Sequence, residues 1–483
     1  MKKILSWAVA LFLLMGIFPL SACKKTTDRG SRYEITAEYR DEAKTLAGTV
    51  KVEFLNEYEK EISLLKFDLY PNAYRKNALY KPISENYFTS AYYAGESYGD
   101  ITITSVAGVK NWSIDGEDEN ILIVHLLRPL ASNAKVTLDI SFVTSLAKVN
   151  HATGVTPRSV NLGHVFPSLC VYRDGEFVEH AYTAFGNPFI SECADYKVNL
   201  TAPSNYVVVA SAPSVITKGL ESKTKYAFSL DDARDFALTL SKEYEVLKTE
   251  RNGVKLEYAY YDDKDAKSRL DFVATLLAYY EKQFGKYPYP SFSLSQTGLI
   301  YAETAYPGLV MLSDSLGEEE SMRSIARGVA RQWWYGAVGH DPVQESWQGE
   351  SLAEYSAITF FEEYPEFGLK KEDLVKNALR EYRSYFSVYG SIFGGVDTRM
   401  SRPLSEFSSE YEYCRLAVDK GVILWDTLRK SIGDKKFFQG LKNYYKAEKY
   451  RIATPNDLIT AFEKTGVSVE GFFDSFLSGK GVI

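Results

Sequence analysis

Apolar and polar residues alternate along the first half of this chain. Tyr33, Ile35, Ala37 and Tyr39 are separated by polar positions, as are Val50, Val52 and Phe54, and again Val136, Leu138, Ile140 and Phe142. A period of two marks half-buried antiparallel strands, because successive side chains leave a strand on opposite faces. The pattern persists through 196–200 and 206–209 to about residue 245, with no helical window of useful length. It predicts one β domain over residues 33–245, a size a single β domain can reach.

Beyond Asp262 and Asp263 the period lengthens. Leu270, Val273, Ala274, Leu277 and Tyr280 recur at helical spacing as far as Gly285, a residue suited to ending a helix. A strand-like stretch follows at 292–312, and helices are expected from there to the C-terminus. One of them covers 318–335. It opens with Glu318, Glu319 and Glu320, which suit the positive end of a helix dipole, and its buried stripe is Met322, Ile325, Ala326, Val329 and Trp333. On another face Arg323, Arg327 and Arg331 recur every fourth residue. With neither an internal repeat nor a low-complexity linker, residues 246–483 are expected to pack directly on the β domain as a second unit.

Charge acts mainly by exclusion. A formal net charge of −7 over 483 residues, without a sustained basic run, argues against nucleic acid as a partner. The N-terminus carries an address. Lys2 and Lys3 precede a largely apolar stretch from Ile4 to Pro19, and Leu20-Ser21-Ala22-Cys23 reads as a lipoprotein cleavage box. Residues 1–22 are then a signal peptide, Cys23 carries the lipid, and 23–32 form a short polar tether; an uncleaved anchor helix is the alternative. Either way an exported protein held to a membrane of the bacterial cell envelope is expected, and two acyl chains on Cys23 suffice for stable anchoring. Of the other cysteines, Cys170 and Cys193 could bridge outside the cell, but with Cys414 the odd count argues for buried free thiols.

Gln332-Trp333-Trp334-Tyr335-Gly336, then Trp347-Gln348-Gly349-Glu350 and Ala353-Glu354-Tyr355, resemble the membrane alanyl aminopeptidase family of zinc gluzincin peptidases, which includes the leukotriene hydrolases. In that family an H-E-x-x-H helix supplies two zinc ligands and the general base. The third ligand is a glutamate 18 intervening residues later, which counted from Arg331 falls on Glu350. Leu69-Tyr70-Pro71-Asn72-Ala73, Gly186-Asn187-Pro188-Phe189, Asp235-Phe236-Ala237-Leu238, Phe284-Gly285-Lys286-Tyr287-Pro288-Tyr289 and Ala453-Thr454-Pro455 match in the same order. The resemblance implies an α+β molecule: a saddle-like N-terminal β-sheet domain, then a thermolysin-like peptidase domain. Because the chain stops where that domain should end, no C-terminal helical-repeat domain is expected.

The departures fall on the chemistry. The ligand histidines correspond to Arg327 and Arg331, and guanidiniums have no lone pair to give a metal. The general base corresponds to Gly328. The glutamate that grips a substrate's free amine corresponds to Ala305, and the tyrosine that stabilises the tetrahedral intermediate corresponds to Val418. Glu350 alone is retained among the ligands, whereas catalytic zinc takes three. A pseudoenzyme is therefore expected, without metal or cofactor and with no catalytic residue, whose cleft binds a peptide or protein partner. Two alternatives stand beside it: an active zinc aminopeptidase with a metal site not recognised here, and a structural or assembly module.

The substituted residues suggest an ion-pair lattice of Arg327 and Arg331 with Glu350 and Glu354, linking two helices in place of the metal. The bland alternative has the arginines in solvent, with Glu319 pairing locally with Arg323. Glu303, two residues before Ala305, is either an anchor for a peptide amine or an exposed strand carboxylate, the second expectation being the stronger. Gly95-Glu96-Ser97-Tyr98-Gly99 fits G-x-S-x-G by chance, since a strand follows where a nucleophile elbow needs a helix. His340 is placed in a loop too far along to act as a ligand, and His164 with His180 would make at most a weak metal site. The 36 tyrosines, with doublets at 92–93, 279–280 and 444–445, leave a sticky aromatic cleft open against ordinary core and surface roles.

Overall fold

The computed structural model describes residues 30–219 and 222–480. The expected signal peptide, the expected lipidation site Cys23 and most of the expected tether lie outside the described residues. No helix among them is long and apolar enough to cross a membrane.

The alternating segments of the first half build a seven-stranded sheet. Its order is Val215–Lys218, Lys223–Ala233, Ala194–Pro203, Ser31–Arg40, Thr45–Leu55, Lys135–Ser145 and Asp100–Ala107. One pairing departs from the antiparallel expectation. Ser31–Arg40 runs parallel to Ala194–Pro203, with Tyr33 opposite Tyr196 and Ile35 opposite Val198. The chain between them is long enough to leave the sheet and return in the same direction, as a parallel neighbour requires. Tyr33 and Tyr196 stack across this pair with centroids 4.9 Å apart.

The second half begins with a five-stranded sheet ordered Glu245–Arg251, Val254–Tyr260, Ser291–Thr297, Leu309–Ser313 and Glu303–Tyr306. The strand-like stretch 292–312 is thus three strands, the last folding back so that Glu303–Tyr306 forms the sheet edge. Helices Ala266–Phe284 and Glu318–Arg331 pack on it; Ser346–Glu363 packs on Glu318–Arg331 and carries Lys371–Phe393 and Lys420–Ile432 beyond. The architecture is a multi-sheet β domain followed by a helical peptidase-type domain.

One apolar core runs through both halves, from Tyr33 and Val198 to Trp425 and Phe473. Polar ties cross the junction as well. Arg234 Nε donates to the Tyr335 carbonyl at 3.0 Å, while the Ser293 hydroxyl donates to the Ala210 carbonyl at 3.0 Å. The tyrosine doublets at 279–280 and 444–445 are buried in this core rather than displayed in a cleft. Cys170, Cys193 and Cys414 are free thiols.

Candidate functional site

The helix Glu318–Arg331 is clamped between the sheet edge and the helix Ser346–Glu363. Its α-helical hydrogen bonding ends at Arg331, short of the expected 335, and passes into a π-helical turn over Gln332–Ala337. The Gln-Trp-Trp side chains explain that turn. Gln332 Oε1 accepts from the Gly308 N–H at 2.8 Å and its Nε2 donates to the Tyr306 carbonyl at 3.0 Å, satisfying two backbone groups of the strand reversal. Gly308 has φ of +72°, and a Cβ there would lie 2.1 Å from the Ser211 carbonyl oxygen, so glycine is needed for that reversal. Trp333 donates to the Gly285 carbonyl and Trp334 to the Ser356 hydroxyl, both at 2.9 Å.

So held, Arg323, Arg327 and Arg331 face three carboxylates on two other elements. Arg323 reaches Glu354 Oε1 at 2.7 Å, and Arg327 Nη1 reaches Glu354 Oε2 at 3.1 Å. Arg327 Nε lies 2.6 Å from Glu303 Oε1, and its Nη2 meets Glu303 Oε2, so this pair is bidentate. Arg331 Nη1 lies 2.9 Å from the same Oε1, and its Nη2 meets Glu350 Oε2. The result is an alternating chain: Arg323, Glu354, Arg327, Glu303, Arg331, Glu350. It places Arg327 against Glu354 and Arg331 against Glu350, and inserts Glu303 between them. Arg323 turns to Glu354 rather than to Glu319.

Glu303 corrects its stronger expectation. It is not an exposed strand carboxylate: its side chain is 1% exposed and both oxygens are bound by guanidinium groups. Sequence reasoning could not see this role, because the pairing depends on how the Glu303–Tyr306 strand folds back beside the arginine face.

Burial sets the electrostatic stakes. It pushes the Glu354 carboxyl up, but Arg323 and Arg327 outweigh it and bring the group down to about 2. Glu303 behaves likewise: burial raises it, and Arg327 and Arg331 hold it below the usual carboxylate range. Burial works against the charge of Arg327 too, yet Glu303 and Glu354 keep it well above its ordinary value. These are charges stabilised only by one another, the condition under which removing one partner is costly.

The lattice floors a cleft of about 300 Å³ between the two halves, lined also by Ala305, Val418, Tyr413, Glu410 and His340. Gly328 does not face it. A Cβ at Gly328 would lie 2.9 and 3.0 Å from the two γ-methyls of Val310, so the helix packs on the strand Leu309–Ser313 at this residue. His340 is a cleft residue that spacing along the chain did not reveal. Tyr413 is another, beside a π-helical turn at Cys414–Asp419 that shifts the register leading to Val418.

Of the remaining candidates, His164 lines the cleft, whereas Ser97 and His180 do not. Ser97 accepts the Lys148 N–H at 2.8 Å and precedes a strand, the context of no nucleophile elbow. His164 Nδ1 lies 2.8 Å from Asp235 Oδ2, and its ring stacks on Phe189. Among the described residues no three His, Cys, Asp or Glu side chains are grouped to hold a metal ion.

A β domain followed by this helical domain, with a cleft between them, is the fold of the M1 zinc metallopeptidases. The solved enzyme of that kind from Deinococcus radiodurans superposes with a TM-score of 0.62 at 16% identity, over 94% of this chain and 95% of that one. Its form bound to a Tyr-Ser-Ala substrate gives the same TM-score and identity, over 94% and 96%. Residues 270–476 match the family profile described as Peptidase family M1 domain. The chain is 25% identical over 306 residues to human endoplasmic reticulum aminopeptidase 2, covering 58% of this chain and 30% of that protein. It is 26% identical over 232 residues to aminopeptidase N of Lactococcus lactis subsp. lactis, covering 44% and 26%. The matched stretch thus spans less than a third of each of these curated relatives.

Proposed function

We propose that this protein is a zinc-free, non-hydrolytic relative of the gluzincin aminopeptidases, a lipoprotein of the cell envelope that binds a peptide or protein partner in the cleft. One observation carries the reading: Arg327 and Arg331, which the sequence resemblance sets against the family's ligand histidines, are both bound to the buried carboxylate of Glu303. A zinc ion does not fit these residues. Guanidiniums offer no lone pair, Glu350 is engaged by Arg331, and a second cation would meet two fixed positive charges. Gly328 supplies no base for activating water, and Val418 no hydroxyl for an oxyanion.

Purified full-length protein is expected to contain far less than one zinc per chain by elemental analysis and to leave aminoacyl reporter substrates uncut. About one zinc per chain together with turnover would overturn the reading. Calorimetric binding of peptides distinguishes a binding protein from a purely structural module. Labelling with a radioactive fatty acid, lost in Cys23→Ser, tests the anchor.

A further inference from the structure

The polar atoms of the cleft wall differ in whether they are already engaged. Three carboxylates line it: Glu303, Glu350 and Glu410. Glu303 has both oxygens on arginines, and Glu350 is held by Arg331. Around them, Arg323, Arg327 and Arg331 balance Glu303, Glu350 and Glu354, so the lattice leaves no net negative charge. Among the described residues Glu410 has no guanidinium beside it; burial raises its carboxyl, and its partner is the Ser84 hydroxyl at 3.5 Å.

Two buried atoms of the wall have no hydrogen-bond partner among the described residues, Arg331 Nε and His340 Nε2. His340 is 7% exposed. Burial, helped by Arg234 and Arg331 and opposed by Asp341, lowers its ring to about 4. The imidazole is therefore neutral at pH 7, with one nitrogen to donate and one to accept. Gly349 makes room for it: a Cβ there would lie 2.1 Å from His340 Cε1. A buried polar atom without a partner loses its hydrogen bond to water, and these two, on side chains that line the cleft, are placed to be completed by a ligand's polar groups.

We infer that this cleft recognises the backbone amides of an internal or N-terminally blocked polypeptide segment, and gains nothing from a free α-amino group. The Arg331 N–H matches a peptide carbonyl, and the His340 nitrogen matches either a carbonyl or an amide N–H. An ammonium would meet Glu303 and Glu350 with their charge already opposed by arginine, and Glu410 as a carboxyl whose charged form burial disfavours. The inference rests on the reading of the cleft as a peptide site and goes further by naming the chemistry it accepts.

Full-length protein in detergent micelles is dialysed against a randomised hexapeptide mixture, C-terminally amidated, in N-acetylated and free-amine forms. Acetylated peptides are expected to be retained at least as well as free ones, and His340→Ala to weaken both about fivefold, the scale of one hydrogen bond. Free-amine peptides held at least tenfold tighter would overturn the inference and leave peptide binding intact. Retention unaffected by His340→Ala would overturn the assignment of the recognising wall. Retention of neither mixture would overturn the peptide-binding reading itself, and this inference with it.

Discussion

Arg327 and Glu303 face each other in a bidentate pair, Nε to Oε1 at 2.6 Å and Nη2 to Oε2, across the gap between a helix and the edge of a sheet. A second guanidinium, Arg331, shares the same carboxylate. Glu303 is thus the hub of the cluster, and the behaviour of variants follows from that position.

Glu303→Gln leaves two guanidiniums facing a neutral amide in a site with little water. Breaking a buried pair from one side costs about 3–5 kcal/mol, and that loss is expected in denaturant unfolding. Glu350→Gln removes one contact from a partly exposed carboxylate and should cost on the order of 1–2 kcal/mol. Equal losses in the two variants would show that Glu303 is not the hub.

The lattice predicts a sign for acid sensitivity. Glu354 is held at about 2 against an ordinary value of 4.5, so the folded state binds its proton less readily than the unfolded chain does. Its contribution is complete above about pH 4.5 and is lost as the pH falls toward 2. Thermal midpoints should therefore show no effect of this group from pH 7 to 5 and a decline below. Subtracting the Glu354→Gln profile should remove that part of the decline.

Replacing Arg327 and Arg331 together by histidine would place two imidazoles one helical turn apart, opposite Glu350. About one zinc per chain is expected on elemental analysis, without turnover. Adding Gly328→Glu forces a side chain into Val310 and should cost about 1–3 kcal/mol, relieved by Val310→Ala. A double-histidine protein that stays metal-free would show that more than these two residues excludes zinc.

Gln332→Ala leaves the Gly308 N–H and the Tyr306 carbonyl without their partner. Two such buried groups predict a loss of about 2–4 kcal/mol. Hydrogen exchange at Gly308 should speed up more than exchange in the Ala266–Phe284 helix.

The broad plan was legible in the chain because period two and period 3.6 follow directly from which faces are buried. Tyr33 through Tyr39 and Leu270 through Leu277 both sit as their spacing implies. Legibility fails where the outcome depends on contacts distant in sequence. The parallel pairing of Ser31–Arg40 leaves no periodic trace, since alternation looks alike in both directions. Charge spacing pointed to helix-borne glutamates as partners for the arginines, but nothing local shows that the Glu303–Tyr306 strand folds back to bring a third carboxylate between them. His340 and Tyr413 flank the π-helical turns Gln332–Ala337 and Cys414–Asp419, whose register neither period two nor period 3.6 describes.

The contact between Gly328 and Val310 bears on which pairs of substitutions the site tolerates as well as on stability. An acidic side chain cannot be introduced at that helix position by a single substitution without colliding with the strand beneath. A relaxing change at Val310 made first would open a cavity and bring no benefit by itself. Whichever of the two changes comes first therefore weakens the packing between this helix and the strand, and only the pair together restores it.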